Sequence, residues 1–352
     1  MKILSRPKKN AEEYGKWAVN PYVGCSNQCE YCYLRKGPSG KYLGQDHPVL
    51  KKGVVSNDHA YHLAMAEIIE HKDEIIRDGG LFMTFTSDPC LLGTHKLMSS
   101  ILIDCINDYG IPVTLLTKCR TTPAVWINQL RLECVSFHPD GNRETTYDYR
   151  NLEHLAIGYT LTGHDELEPH APSNANRVKD MAHLRDFIGG DKFHVWASIE
   201  PVIDFDSSYR MIEQALDAGC RHFKIGLMTE RTKVCRRGFT LGDQTFEPYD
   251  PARCLAFVQD VMRLTRDRAT VYWKQSFRDF LRPVGSKRPK AERIGGTGKH
   301  RLFTDDEPME QREQNGAGSS YAESRQRSAE SQLHKIFDDY PNAVGKDWSF
   351  WK

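Results

Sequence analysis

Long apolar runs are missing from this 352-residue chain: no stretch approaches the roughly eighteen residues needed to span a bilayer. The opening MKILSRPKKN lacks the apolar core of a secretory leader, so the chain is expected to be cytoplasmic, with no membrane partner. Net charge is missing as well. The formal charge is +1, from 48 Lys and Arg against 47 Asp and Glu, which excludes a global pull toward nucleic acid or anionic lipid and leaves only a local patch for such binding. A disulfide framework is also absent. Of ten cysteines only Cys25, Cys29 and Cys32 lie close together, whereas Cys105, Cys134, Cys220 and Cys254 stand singly in periodic segments and are expected to pack as small hydrophobes. Finally, there is neither a second CxxC knuckle nor a close His pair, the usual complements of a structural zinc site.

What is present is alternation. Short runs rich in β-branched and aromatic residues, at 16–20, 81–86, 112–117, 155–162, 193–200, 222–227 and 270–274, are separated by segments of helical period. Repeated βα units predict an α/β fold with six or seven parallel strands. Helix starts are read at Asn57, Thr94, Thr122–Pro123, Asp206 and Asp250–Pro251, and stops at Gly79–Gly80, Gly110 and Gly219. Past residue 280 the character changes. The stretch LRPVGSKRPKAERIGGTGKHR holds seven Lys or Arg against one Glu, and the chain stays polar until an aromatic end, DDYPNAVGKDWSFWK, suited to docking back. The expected division is a barrel over 1–280 and a polar extension over 281–352 that covers the substrate or contacts nucleic acid.

The segment NPYVGCSNQCEYCYLRKG puts Cys25, Cys29 and Cys32 in a C-x3-C-x2-C array just after the first predicted strand. Four thiolates would close every iron of a [4Fe-4S] cubane. Three leave one iron open to chelate S-adenosylmethionine (SAM), whose sulfonium bond then breaks on reduction to give a 5'-deoxyadenosyl radical. The competing reading is zinc held by the trio and a fourth ligand, in a nucleic-acid-binding protein whose active surface is the basic run from Arg282 to Arg301.

The spacing, Tyr31 before the last cysteine and the position after strand one resemble the radical SAM superfamily. Within it, NPYVGC followed by CEYCYL resembles the spore photoproduct lyase family, and Thr86-Ser87-Asp88, Thr117-Lys118 and Glu168-Pro169 with Arg177 match that family's TSD, TK and EP…R segments. The resemblance covers roughly residues 17–227 and implies a partial (α/β)6 barrel of TIM type, with reacting groups at the strand ends. It implies a [4Fe-4S] cluster and SAM as cofactors, an electron donor such as flavodoxin or ferredoxin, and a thymine-derived base in DNA as substrate. A small molecule, a peptide or a transfer RNA is the alternative substrate.

On that reading Thr86, Ser87, Asp88, Thr160 and Thr162 bind SAM, and Arg177 pairs with its carboxylate. Tyr31 stacks on adenine or, with Tyr33, relays a hydrogen atom. Glu200 and Lys274, at later strand ends, act at the barrel mouth or pair with each other. One departure is informative: the lyases carry a hydrogen-returning cysteine just before TSD, and this chain has Phe85. Either Cys90 or Cys119 substitutes for it, or no thiol is needed, as in a radical isomerase working on a modified thymine of the kind found in bacteriophage DNA.

Overall fold

The computed structural model describes residues 2–36, 40–119, 130, 132–137, 143–148, 150–188, 193–228, 238–281 and 343–344. Each of the seven apolar runs forms a strand: β1 (Ala18–Val19), β2 (Leu81–Met83), β3 (Val113–Thr117), β4 (Leu155–Thr160), β5 (His194–Val202), β6 (His222–Leu227) and β7 (Thr270–Trp273). They pair in chain order, each parallel to the next. Parallel strands that follow chain order wind in one direction only, which is the topology of a barrel rather than of a doubly wound sheet. The two ends are edged, not joined. Leu4–Ser5 runs antiparallel to β1, and Ala343–Val344, from the C-terminal extension, runs parallel to β7. The fold is therefore an α/β partial barrel, open between its first and last strands among the described residues.

Period-two alternation divides the strands into two faces. Leu155, Ile157 and Tyr159 of β4 join the core under the helices, together with Leu97, Met98 and Ile101 of the helix His95–Asn107. Ala156 of the same strand packs instead in an inner layer with Ala18, Phe82 and Trp196. Gly158 lies between them, where an added Cβ would come within 2.2 Å of the Trp196 ring. The indole thus fills the barrel interior only because residue 158 has no side chain.

Several boundaries differ from the sequence reading for local reasons. β2 stops at Met83 because Thr84 adopts a left-handed backbone (φ 59°), which a β-branched residue cannot extend as a strand. Ser56, not Asn57, caps the helix Asn57–Glu70, accepting the His59 N–H at 3.0 Å. Asp204, not Asp206, caps Phe205–Asp217, accepting the Ser207 N–H at 2.8 Å. Thr94 precedes a helix as expected, but its hydroxyl turns back to the Asp88 carbonyl at 2.8 Å. Asp250 and Pro251 open their helix as read. Between β3 and β4 stands an unforeseen antiparallel hairpin, Leu132–Phe137 with Arg143–Asp148, whose second strand, RETTYD, is too polar to signal itself. The helix start at Thr122–Pro123, the side chain of Cys134 and the basic run Arg282–Arg301 lie outside the described residues.

Candidate active site

The strand ends open on a cavity of about 640 Å³, and Cys25, Cys29 and Cys32 all line it. The loop that carries them is fixed at its base by Tyr22–Val23 pairing antiparallel with Val49–Leu50. Gly24 turns the chain at φ +89°, and an added Cβ there would lie 2.4 Å from the His47 carbonyl oxygen. Further along, the Cys25 N–H donates to the Gln45 carbonyl at 3.1 Å, the Cys32 N–H to the Cys29 carbonyl at 3.1 Å, and Arg35 to the Gln28 carbonyl at 2.8 Å.

Asp88 ties this loop to the barrel. Its carboxylate accepts from Asn27 Nδ2 at 3.2 Å, the Cys90 N–H at 2.9 Å, the Thr117 hydroxyl at 2.7 Å and the Lys118 N–H at 2.9 Å. With its oxygens engaged on four sides, Asp88 is a clamp for the cysteine loop and two strand ends, and it also lines the cavity in which the sequence reading has it bind SAM. Asp88→Ala strands those buried donors, each worth about 1–3 kcal/mol when unsatisfied. The variant is expected to unfold at lower denaturant and to incorporate less iron on reconstitution; unchanged values for both would contradict the clamp.

The other residues read for SAM divide into two groups. Tyr31, Ser87 and Thr160 line the cavity. Thr86, Thr162 and Arg177 do not: the Thr86 hydroxyl donates to the Tyr22 carbonyl, and the Thr162 hydroxyl to Glu168 at 3.2 Å. Arg177 is wholly buried, donating to Glu168, to the Thr160 carbonyl and, at 2.8 Å, to the Pro172 carbonyl. Its fork is engaged with Glu168 and two carbonyls, so the carboxylate it pairs with here is that of Glu168. Glu168 in turn accepts the Tyr31 hydroxyl. The phenol is thus engaged away from the cavity, which favours ring stacking over hydrogen relay. Tyr33 sits at the mouth, half exposed, its hydroxyl on the Phe85 carbonyl.

Neither Cys90 nor Cys119 lines the cavity. Cys90 is buried in the helix-side core and Cys119 packs against it, its thiol 3.8 Å from Asp88. Phe85, in the position of the family's donor, lines the cavity and stacks on Phe82 with ring centroids 4.3 Å apart.

Glu200 and Lys274 line the cavity floor and pair, with Lys274 Nζ 2.9 and 2.7 Å from the two carboxylate oxygens. The sequence reading missed their partner. Tyr14, from the segment before β1, lowers its hydroxyl between Glu200 and Ser198, 2.9 Å from the serine. Its ring also stands against Lys274 and Lys224, 4.2 and 4.5 Å from their nitrogens. Lys224 is fully buried, and burial, aided by Lys274, holds its amine well below the usual lysine range.

No family model and no curated protein matches the chain. Three solved structures of Streptococcus suis SuiB align with it. SuiB bound to S-adenosylmethionine aligns over 73% of this chain and 49% of that one, at TM-score 0.45 and 10% identity. SuiB bound to the precursor peptide SuiA aligns over 73% and 48%, at 0.46 and 11%, and SuiB alone over 73% and 48%, at 0.44 and 10%. This chain spans about half the length of those it aligns with.

The donor set can be tested against the two metal readings. Thiolates on one zinc ion converge on a point, and thiolates on a cubane gather around a compact cluster. Among the described residues no three Cys, His, Asp or Glu side chains form a group able to hold one metal ion. The donors that line the cavity are three thiols with no imidazole and no fourth thiol beside them, and that donor chemistry fits a three-thiolate cluster. The wall also carries the Ser87 hydroxyl, buried and without a hydrogen-bond partner.

Beside the mouth, His164 bridges the loops after β4 and β5. Its Nδ1 meets Glu166 at 2.8 Å and its Nε2 meets Asp204. Burial opposes charge on the imidazole, but the two carboxylates outweigh it and raise the His164 pKa. Burial would likewise raise Asp204, but hydrogen bonds from His164 and Ser207 hold it far below the usual range. The raised imidazole contributes stability in full below about 6.5, its unfolded value, and loses it as pH climbs through the folded value; the depressed carboxylate contributes fully above about 3.9 and fails below. The unfolding midpoint should therefore fall as pH rises from 6 to 8, and His164→Asn should flatten that slope. An equal slope in the variant would contradict the role of the His164 bridge.

Proposed function

We propose that this chain is a radical SAM enzyme, with Cys25, Cys29 and Cys32 holding a [4Fe-4S] cluster and a thymine-derived base in DNA as the substrate. What carries the reading is that Cys25, Cys29 and Cys32 all line the cavity on which the strand ends open. Such a cluster, bound and reduced, supplies the electron that converts SAM to methionine and a 5'-deoxyadenosyl radical.

The chain's own residues then have separate tasks. Ser87 offers an unmatched hydroxyl and Thr160 a second one to the ligand. Tyr31 offers a ring whose orientation Glu168 fixes. The stacked Phe82 and Phe85 offer a planar apolar wall that suits a base. Lys8 and Lys9, which line the same cavity, offer positive charge to a phosphodiester. The positions of Cys90 and Cys119 off the cavity support a reaction without a thiol donor, in which the substrate recovers its hydrogen from 5'-deoxyadenosine. An electron donor such as flavodoxin or ferredoxin would supply the reducing equivalent.

The test uses DNA deuterated in the thymine methyl group, with reconstituted, reduced protein and SAM. Deuterium is expected in 5'-deoxyadenosine. Formation of 5'-deoxyadenosine without deuterium from any thymine-containing or modified DNA would remove DNA as the substrate.

A further inference from the structure

The Glu200–Lys274 pair lies inside the barrel, where an ion pair gains little stability for the desolvation it costs. The fold nonetheless makes room for it. At Gly226 of β6 an added Cβ would stand 2.9 Å from both Glu200 Oε1 and Lys274 Cδ, so the pair exists because that position is bare. Lys274 is 2% exposed, while the Glu200 side chain keeps 17% of its surface, so the carboxylate edge is open to the cavity both residues line. An ammonium has three donors, and those described on Lys274 go to Glu200, the Glu13 carboxylate being 3.7 Å away. Tyr14 locks the arrangement from the side with its hydroxyl on Glu200 and packs its ring 5.7 Å from Phe82 and 6.3 Å from Phe85.

A strong donor next to a strong acceptor, beside a flat aromatic wall, has the chemistry to read a planar ring that presents a carbonyl next to an N–H. We propose that Tyr14, Glu200 and Lys274 form the specificity subsite of this enzyme, with Lys274 donating to a ring carbonyl and Glu200 accepting the neighbouring imide N–H. Tyr14 is a positioning residue that holds Glu200 in line. This deepens the functional reading above and rests on it for the location of the substrate, but it concerns recognition alone, and no electron or atom is transferred in it.

The test is a binding titration of the full-length, cluster-loaded protein with SAM and no reductant, using thymidine and N3-methylthymidine as probes. Thymidine is expected to bind. N3-methylthymidine, which has lost the N–H and gained bulk, is expected to bind at least about tenfold more weakly. Lys274→Met should weaken thymidine by a similar factor, and Tyr14→Phe should narrow the gap between the two probes. Equal affinity for both probes in the unaltered protein, or no binding of thymidine, overturns the proposal without depending on any variant's folding. The titration involves no SAM cleavage, so a failure of the radical chemistry would appear separately, as absence of 5'-deoxyadenosine with normal thymidine binding.

Discussion

Cys29→Ala protein, reconstituted anaerobically beside the unaltered chain, is expected to hold less than about a tenth of its iron and sulfide and to form no 5'-deoxyadenosine. The reason is ligand count. Two thiolates close two irons and leave the cubane half unanchored, and because the site's binding energy depends on deprotonated thiols, losing one costs more than its share. Cys29 is the most enclosed of the trio, so no outside thiol can reach its place. Cys105→Ala is the matched control. That thiol is buried among helix and strand side chains, away from the cavity, and its loss should leave iron content unchanged. Full iron in the Cys29 variant would mean that the cluster is held elsewhere.

The second large effect falls on stability. Arg177→Met takes from Glu168 its directly hydrogen-bonded counter-charge, in a place where both side chains have no exposed surface, and leaves only Lys118, 3.9 Å away, to balance it. Breaking such a pair costs about 3–5 kcal/mol, whereas replacing both members with apolar residues is often close to neutral. Arg177→Met should therefore lower the unfolding free energy by about that amount in urea, and Arg177→Met with Glu168→Leu should recover most of it. Because Glu168 also takes the Tyr31 hydroxyl, the single variant should lose order at the cysteine loop as well. A loss under about 1 kcal/mol would show that the pair is hydrated.

Much of this was legible in the sequence because strands buried on both faces announce themselves. VTLLT and HFKIGL have few other uses, and both form strands that match the expected runs within a residue. Residues at and after strand ends were also legible as cavity residues: Ser87 after β2, Glu200 near the end of β5 and Lys274 just past β7 all line it, as they should in a barrel. What sequence could not supply was direction after the strand. Thr160 lines the cavity and Thr162 does not, because Thr162 is tied to the following segment, its N–H to Asn174 at 2.9 Å and its hydroxyl to Glu168 at 3.2 Å. Arg177 read as a ligand because arginine suits carboxylates, and so it does, but the carboxylate is Glu168. Tyr14 was invisible for another reason. It precedes every barrel element, and its partner Ser198 lies 184 residues away. The one available hint was an aromatic residue next to Glu13 in an otherwise polar lead-in.

The central claim is that three cysteines at the mouth of an open barrel hold an iron–sulfur cubane able to activate SAM. Anaerobic reconstitution, followed by metal analysis and a dithionite-driven assay for 5'-deoxyadenosine, tests it most directly. About four irons and four sulfides per chain, with 5'-deoxyadenosine formed only when SAM and reductant are both present, is the expected result. One zinc per chain with no sulfide, or a loaded cluster that never cleaves SAM, would contradict it.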